Sequence, residues 1–292
     1  MPSRGYIPQT RGIADLAKRS DAVLTWLDRI GYSPKPSSRI DVYSRVIQDA
    51  AAQESGIAPD LLIRTIRELS ELYVIRCKFR FCPIPRNARS LFSQLVRGGV
   101  FPDEEGQNTA ARDSQFHLYL AAVLRLAWVC PAFDEPDLVL PRRSLGVAVK
   151  RLTGTSPTNF NRRLRKGSDQ LAQAGMRGII CLDATEVMAP RRDMMHFDSN
   201  AALGQFYSEV DQWFETFQSH HGSEVEASVD PSFVIAVLIF WNVVCFLTES
   251  GTAAQHTFVG SVPMHDEGSD VRRSALFFER AFGRGLRRAD QL

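Results

Sequence analysis

Glu135-Pro136-Asp137 and Lys150 are the residues of this chain whose types and spacing most readily do chemistry. Brought together, they would set a carboxylate beside an ammonium group. Lys150 closes the run Gly146-Val147-Ala148-Val149-Lys150. Side chains alternate along a strand, so Lys150 would share a face with Ala148 and Gly146, while Val147 and Val149 pack the opposite side. With Asp137 on an adjacent antiparallel strand, joined through Pro141-Arg142-Arg143, both charged groups project near one end of one sheet face. A lysine closing an apolar strand either snorkels to solvent or serves a site.

The charge around this pair is lopsided. Over 292 residues, 35 Lys and Arg balance 33 Asp and Glu for a net charge of +2, which by itself suggests no polyanionic partner. Yet residues 138–168 contain no acidic residue and carry Arg142, Arg143, Lys150, Arg151, Arg162, Arg163, Arg165 and Lys166. Such a tract is suited to phosphate contacts, which give affinity without sequence reading, although charge runs are often only solvated faces.

The elements that must position these groups are legible in outline. Apolar residues at helical spacing predict helices over about 13–30, 40–53, 59–73 and 87–96, with Gly31 and Gly98-Gly99 as stops and Pro59 in a first turn. The polar, turn-rich stretch Gly98–Thr109 suggests a boundary between an α-helical domain, 1–105, and an α/β domain, 110–292. In the second part a helix through Trp128 leads to strands at about 137–140, 144–152, 178–183 and 233–247, the last with a break, and an edge strand near 257–262. Helices are expected at about 159–174, 201–219 and 272–282. This order describes an α/β fold with a mixed sheet.

Asp137, Lys150 and this element order resemble the PD-(D/E)XK nuclease superfamily, the restriction-endonuclease-like fold, over about residues 115–183. The resemblance implies a mixed sheet flanked by helices, with the helical segment before it. It assigns Asp137 as a ligand of Mg²⁺, with Mn²⁺ as a substitute, and Lys150 as the lysine that assists the attacking water. Gln170 falls where relatives often keep a glutamine. Ala148 departs from the pattern, which has an acid two residues before the lysine, and His117 stands where the preceding helix often offers Glu. Glu135 is the candidate second metal ligand in place of the missing acid. The site is then either rearranged or decayed.

Two functions follow: a metal-dependent phosphodiesterase acting on nucleic acid, DNA by preference, or a non-catalytic nucleic-acid-binding or protein-interaction module on the same fold. A homodimer is compatible with both. The longest apolar run, 233–247, is too short for a membrane helix, and the start lacks a secretory pattern, so a cytoplasmic protein with no membrane partner is expected. The five cysteines are read as mostly buried thiols, and Cys77 and Cys82 lack a second pair at zinc spacing. Asp183 is read as either a site residue or a helix cap, His220-His221 as an exposed loop, and the aromatics Phe206 to Phe217 as core. No phosphate-cradling glycine loop, Gly-x-Ser-x-Gly or His-Glu-x-x-His occurs.

Overall fold

Five α-helices precede the first strand in a computed structural model of the chain, which describes residues 12–53, 56–100, 109–152, 157–188, 195–265 and 269–292. They are α1 (Ile13–Arg29), α2 (Arg39–Ala51), α3 (Pro59–Phe79), α4 (Arg89–Leu95) and α5 (Ala110–Leu126). Pro59 takes the first turn of α3, where its missing N–H costs no hydrogen bond, and Gly31 after α1 has the left-handed φ of 80° that a helix stop requires.

The remaining elements are β1 (Ala132–Asp134), β2 (Asp137–Leu140), β3 (Leu145–Arg151), α6 (Pro157–Gln173), β4 (Arg177–Asp183), α7 (Thr185–Met188), β5 (Met195–Phe197), α8 (Asn200–Ala227), β6 (Val234–Leu247), β7 (Thr252–Pro263) and α9 (Asp270–Asp290). They build a seven-stranded mixed sheet in the order β1-β2-β3-β4-β6-β5, with β7 also paired to β6. The β3, β4 and β6 ladders are parallel, while the β1–β2, β2–β3 and β6–β7 pairs are antiparallel. The α/β class with a mixed sheet between helices is thus as expected. Strand β6 runs unbroken, and its all but fully buried apolar sequence reflects a central strand covered on both faces. No described helix is long and apolar enough to cross a membrane.

Two apolar layers enclose the sheet. On one face α6 packs Leu164 and Leu171 against Ala148 and Ile180, joined by Val225 of α8. On the other, a continuous core joins Trp26 of α1, Ile66 of α3 and Phe116 of α5 to Val147, Ile179 and Phe240 of the sheet and Phe282 of α9. Part of the anticipated boundary, residues 101–108, lies outside the described residues.

Several local expectations are corrected. The short strands β1 and β5 carry too few residues to show a period. His220 and His221 lie within α8, which continues through Gly222 and Ser223 to Ala227. Cys82 and Cys130 are exposed, while Cys181 and Cys245 are buried, and all five thiols are free. Trp213 is 39 % exposed, whereas Phe206, Tyr207 and Phe214 pack against the cluster containing Trp241 and Phe258.

Candidate functional site

Lys150 and Asp137 meet. The β2–β3 ladder pairs Leu138 with Val147, and a single 3₁₀ turn at Pro141–Arg143 closes the hairpin. This places Asp137 beside the end of β3, where its Oδ2 accepts the Val149 N–H at 2.7 Å and the Lys150 ammonium at 3.2 Å. Lys150 also donates to the Val149 carbonyl at 2.9 Å and, closely, to Oε1 of Gln170. The Gln170 amide donates in turn to the Pro136 carbonyl at 2.8 Å, which ties α6 to the turn before Asp137. One helix and one hairpin therefore fix all three side chains.

The close approach of α6 depends on Gly146. A Cβ there would lie 2.8 Å from Leu171 Cδ2 and 2.9 Å from Pro136 Cγ. Ala148, on the same face, is fully buried in the α6 layer, so the position where the resembled pattern has an acid serves packing here. Glu135 is exposed in the β1–β2 turn. It lies outside β2, which begins at Asp137 itself, so strand alternation does not set it on the face of Asp137.

His117 approaches Asp137 from α5, with Nε2 3.9 Å from Oδ1, while Lys150 is bound to Oδ2. Burial lowers the pKa of the imidazole against the opposing pull of Asp137, which favours the neutral ring. Burial also lowers the pKa of Lys150, again opposed by Asp137. The charges of Lys166 and Arg163 lower it further, so both lie near enough to act on the site. With Gln170 they sit at i, i+3 and i+7 on α6, one helical face. Among the described residues, no three His, Cys, Asp or Glu side chains group as a metal site.

The basic tract is divided in space. Arg163 and Lys166 share the Gln170 face of α6, with Arg165 exposed on the same helix and Arg162 hydrogen-bonded to Asn159 at 2.8 Å. Arg142 and Arg143 are exposed at the opposite end of β3. Arg151 is buried and pairs with Asp183 at 3.0 Å. Asp183 also caps the following turn by accepting the Thr185 N–H at 3.0 Å.

Strand alternation explains the parting of Lys150 from Arg151: consecutive residues enter opposite faces. Behind Arg151 is a polar network that sequence reasoning missed. Glu68 of α3 binds Arg39 at 2.6 Å and stands 3.5 Å from Arg112, while Arg67 binds Glu186 at 2.6 Å. Glu71 accepts from Gln115 at 2.7 Å and Asn242 at 3.1 Å. Its carboxyl is pushed up to about 7, first by burial and then by Glu68 and Asp183. The available signal was Arg64, Arg67, Glu68 and Glu71 at helical spacing, a pattern that usually marks a solvated face. Here the face is enclosed between α3, α5 and the sheet.

No family model matches the chain. No match was found among curated proteins, and none among solved structures.

Proposed function

We propose that the chain is a divalent-cation-dependent phosphodiesterase acting on nucleic acid, with a site built on Asp137, Lys150, Gln170 and His117. The observation that carries this reading is the Lys150 ammonium, held at once by the Asp137 carboxylate and the Gln170 amide in a largely buried position. An ordinary snorkelling lysine would put its charge in water; this one is aimed and desolvated. Finer assignment of the sheet to the restriction-endonuclease-like fold belongs to the same reading and is supported by the convergence of Asp137 and Lys150.

Asp137 Oδ1 and neutral His117 are the donors that would hold a cation, with substrate phosphate oxygens and water completing its shell. The imidazole favours Mn²⁺ over Mg²⁺. Such an ion supplies a more acidic bound water and neutralises charge on the phosphate. Lys150 would set its positive charge beside a nonbridging oxygen and, on releasing one of the three acceptors that hold it, Asp137, the Val149 carbonyl or Gln170, would orient water. Gln170 positions Lys150, and Arg163 and Lys166 draw the backbone to this end of α6. Glu135, exposed two residues ahead of Asp137, is available to a second cation or to a bound substrate.

Incubating the full chain with single- and double-stranded DNA and RNA plus Mg²⁺ or Mn²⁺ tests the proposal. Cleavage abolished in Lys150→Ala supports it; intact substrates throughout remove the enzymatic claim. The second reading, a nucleic-acid-binding module without hydrolysis, is favoured by the apolar packing of Ala148. It requires salt-sensitive binding, weakened by Arg163→Glu and Lys166→Glu, without turnover.

A further inference from the structure

Helix α9 presents a second basic surface, remote from Lys150. Its inner face buries Ala275, Phe278, Ala281, Phe282, Leu286 and Ala289. Gly285 is wedged against α5, where an added Cβ would fall 2.1 Å from the Val123 carbonyl oxygen, so the helix cannot roll without losing that contact. The outward face then carries Arg273, Phe277, Arg280, Arg284 and Arg287, spaced by four, three, four and three residues. All four arginines are exposed. Arg273 pairs with Asp270, and Glu279 is taken by Arg272 and Ser261. Among the described residues, Arg280, Arg284 and Arg287 have no acidic partner in ion-pair contact, and residues 280–289 include no Asp or Glu.

Groups from other elements extend this stripe at both ends. Arg143, from the β2–β3 turn, lies over the Phe277 ring at 3.8 Å, with exposed Arg142 beside it. At the far end Arg288 donates to the Leu126 carbonyl at 2.6 Å and lies 5.5 Å from the centre of the Trp128 ring, which Lys78 also approaches at 6.0 Å. From Phe277 to Arg288 the helix rises about 16 Å.

Trp128 is the feature that basic helix ends alone do not explain. Arg287 and Arg288 in the last turn suit the helix dipole, but Arg280, Arg284 and Arg143 lie outside its range. Trp128 takes the left-handed position that closes α5, with a φ of 65°, and leaves its indole 79 % exposed beside two cations. A flat aromatic platform at the end of a row of cations fits a polyanion whose units carry π faces.

We propose that this stripe docks a single-stranded nucleic acid, with phosphates on Arg280, Arg284 and Arg287 and an unpaired base stacked on Trp128. The choice of nucleic acid among polyanions rests on the function proposed above. A duplex has its bases enclosed and gains nothing from the indole, so the platform selects a single strand. The stripe meets the β2–β3 turn, and Lys150 stands at the other end of β3, roughly 16 Å away along the strand. The docked strand is therefore held at a distance from the cleavage site.

The test is fluorescence anisotropy on the full chain with a labelled DNA strand of about 20 nucleotides and its duplex, at roughly 50 and 200 mM salt. The triple variant Arg280→Glu/Arg284→Glu/Arg287→Glu is expected to lose at least about tenfold in single-strand affinity. Its slope of log affinity against log salt should fall by about 2. Trp128→Ala should lose about 5- to 150-fold on the single strand and little on the duplex. The Arg→Gln triple, with its melting curve, guards against loss of fold. If both triples bind like wild type while Arg163→Glu/Lys166→Glu loses affinity, the stripe is overturned and the nucleic-acid reading stands. If the wild type binds neither strand nor duplex, both fail. Loss in the triples with Trp128→Ala unchanged on the single strand overturns the base-stacking assignment.

Discussion

Replacing Asp137 with Asn should expose how strongly the site depends on its ion pair. In the folded chain the Lys150 side chain is only 7 % exposed and its ammonium lies 3.2 Å from Asp137. At that distance an effective dielectric near 20 gives an attraction of about 5 kcal/mol, before desolvation is counted. Removing one partner from a buried pair typically costs about 3–5 kcal/mol. The Asn carbonyl oxygen can still accept both hydrogen bonds that Oδ2 takes, though without its charge, so a loss at the low end, about 3 kcal/mol at neutral pH, is expected. The pH dependence has a definite sign. Burial already lowers the folded-state pKa of Lys150, and Asp137 opposes that shift. In Asp137→Asn the folded-state pKa drops further below its unfolded value, so the unfolded chain binds more protons and stability rises with pH. Urea denaturation at about pH 7 and pH 9.5 should show the deficit shrinking at the higher pH. Asp137→Asn/Lys150→Met should be more stable than Asp137→Asn alone, because no unpaired ammonium remains. A single variant within about 0.5 kcal/mol of wild type, or a deficit that grows with pH, would refute the coupling.

Two further perturbations probe the scaffold. Gly146→Ala places a methyl group 2.8 Å from Leu171 Cδ2 and 2.9 Å from the Pro136 ring, so Leu171 must turn or α6 must move, at about 1–3 kcal/mol in denaturant melts. Glu71 holds its proton to about pH 7, whereas in the unfolded chain it releases it near 4.5; the stability it confers is present at low pH and lost as pH rises through that window. Glu68 and Glu186 act oppositely: nearby arginines hold both below the usual carboxylate range, so their contribution is lost in acid. Melts from pH 4 to 8 should therefore show wild type losing stability relative to Glu71→Gln as pH rises. A constant difference across the range would contradict the burial of an acid there.

The parts of the site that were legible in the sequence are those fixed by short-range geometry. A hairpin of known length and strand alternation bring Asp137 and Lys150 to one face, and the α6 crossover brings Gln170 to them. Arg151 was placed in the phosphate-facing set, but strand alternation turns it to the other face of the sheet, where Asp183 of β4 pairs with it and α3, far away in sequence, encloses it. The charged residues of α3 have the spacing of a solvated stripe, and only the three-dimensional packing shows them enclosed. The arginines of α9 carry a similar periodic signal, but its exposed reading depends on knowing which face Gly285 presses against α5. Ala148 was legible as a departure; that it supports α6 was not, since Leu164 and Leu171 meet it only in the folded layer.

The central claim is that Lys150 serves a hydrolytic site, and the most direct measurement is the Mn²⁺-dependent cleavage rate of end-labelled DNA and RNA by wild type and Lys150→Met. The Met variant keeps the volume of the stem without the charge, so matched melting curves can certify its fold. The expected result is cleavage by wild type, suppressed by about 100-fold or more in Lys150→Met, the scale on which a positioned catalytic group acts. Equal rates in the two proteins, or no cleavage by wild type, would contradict it.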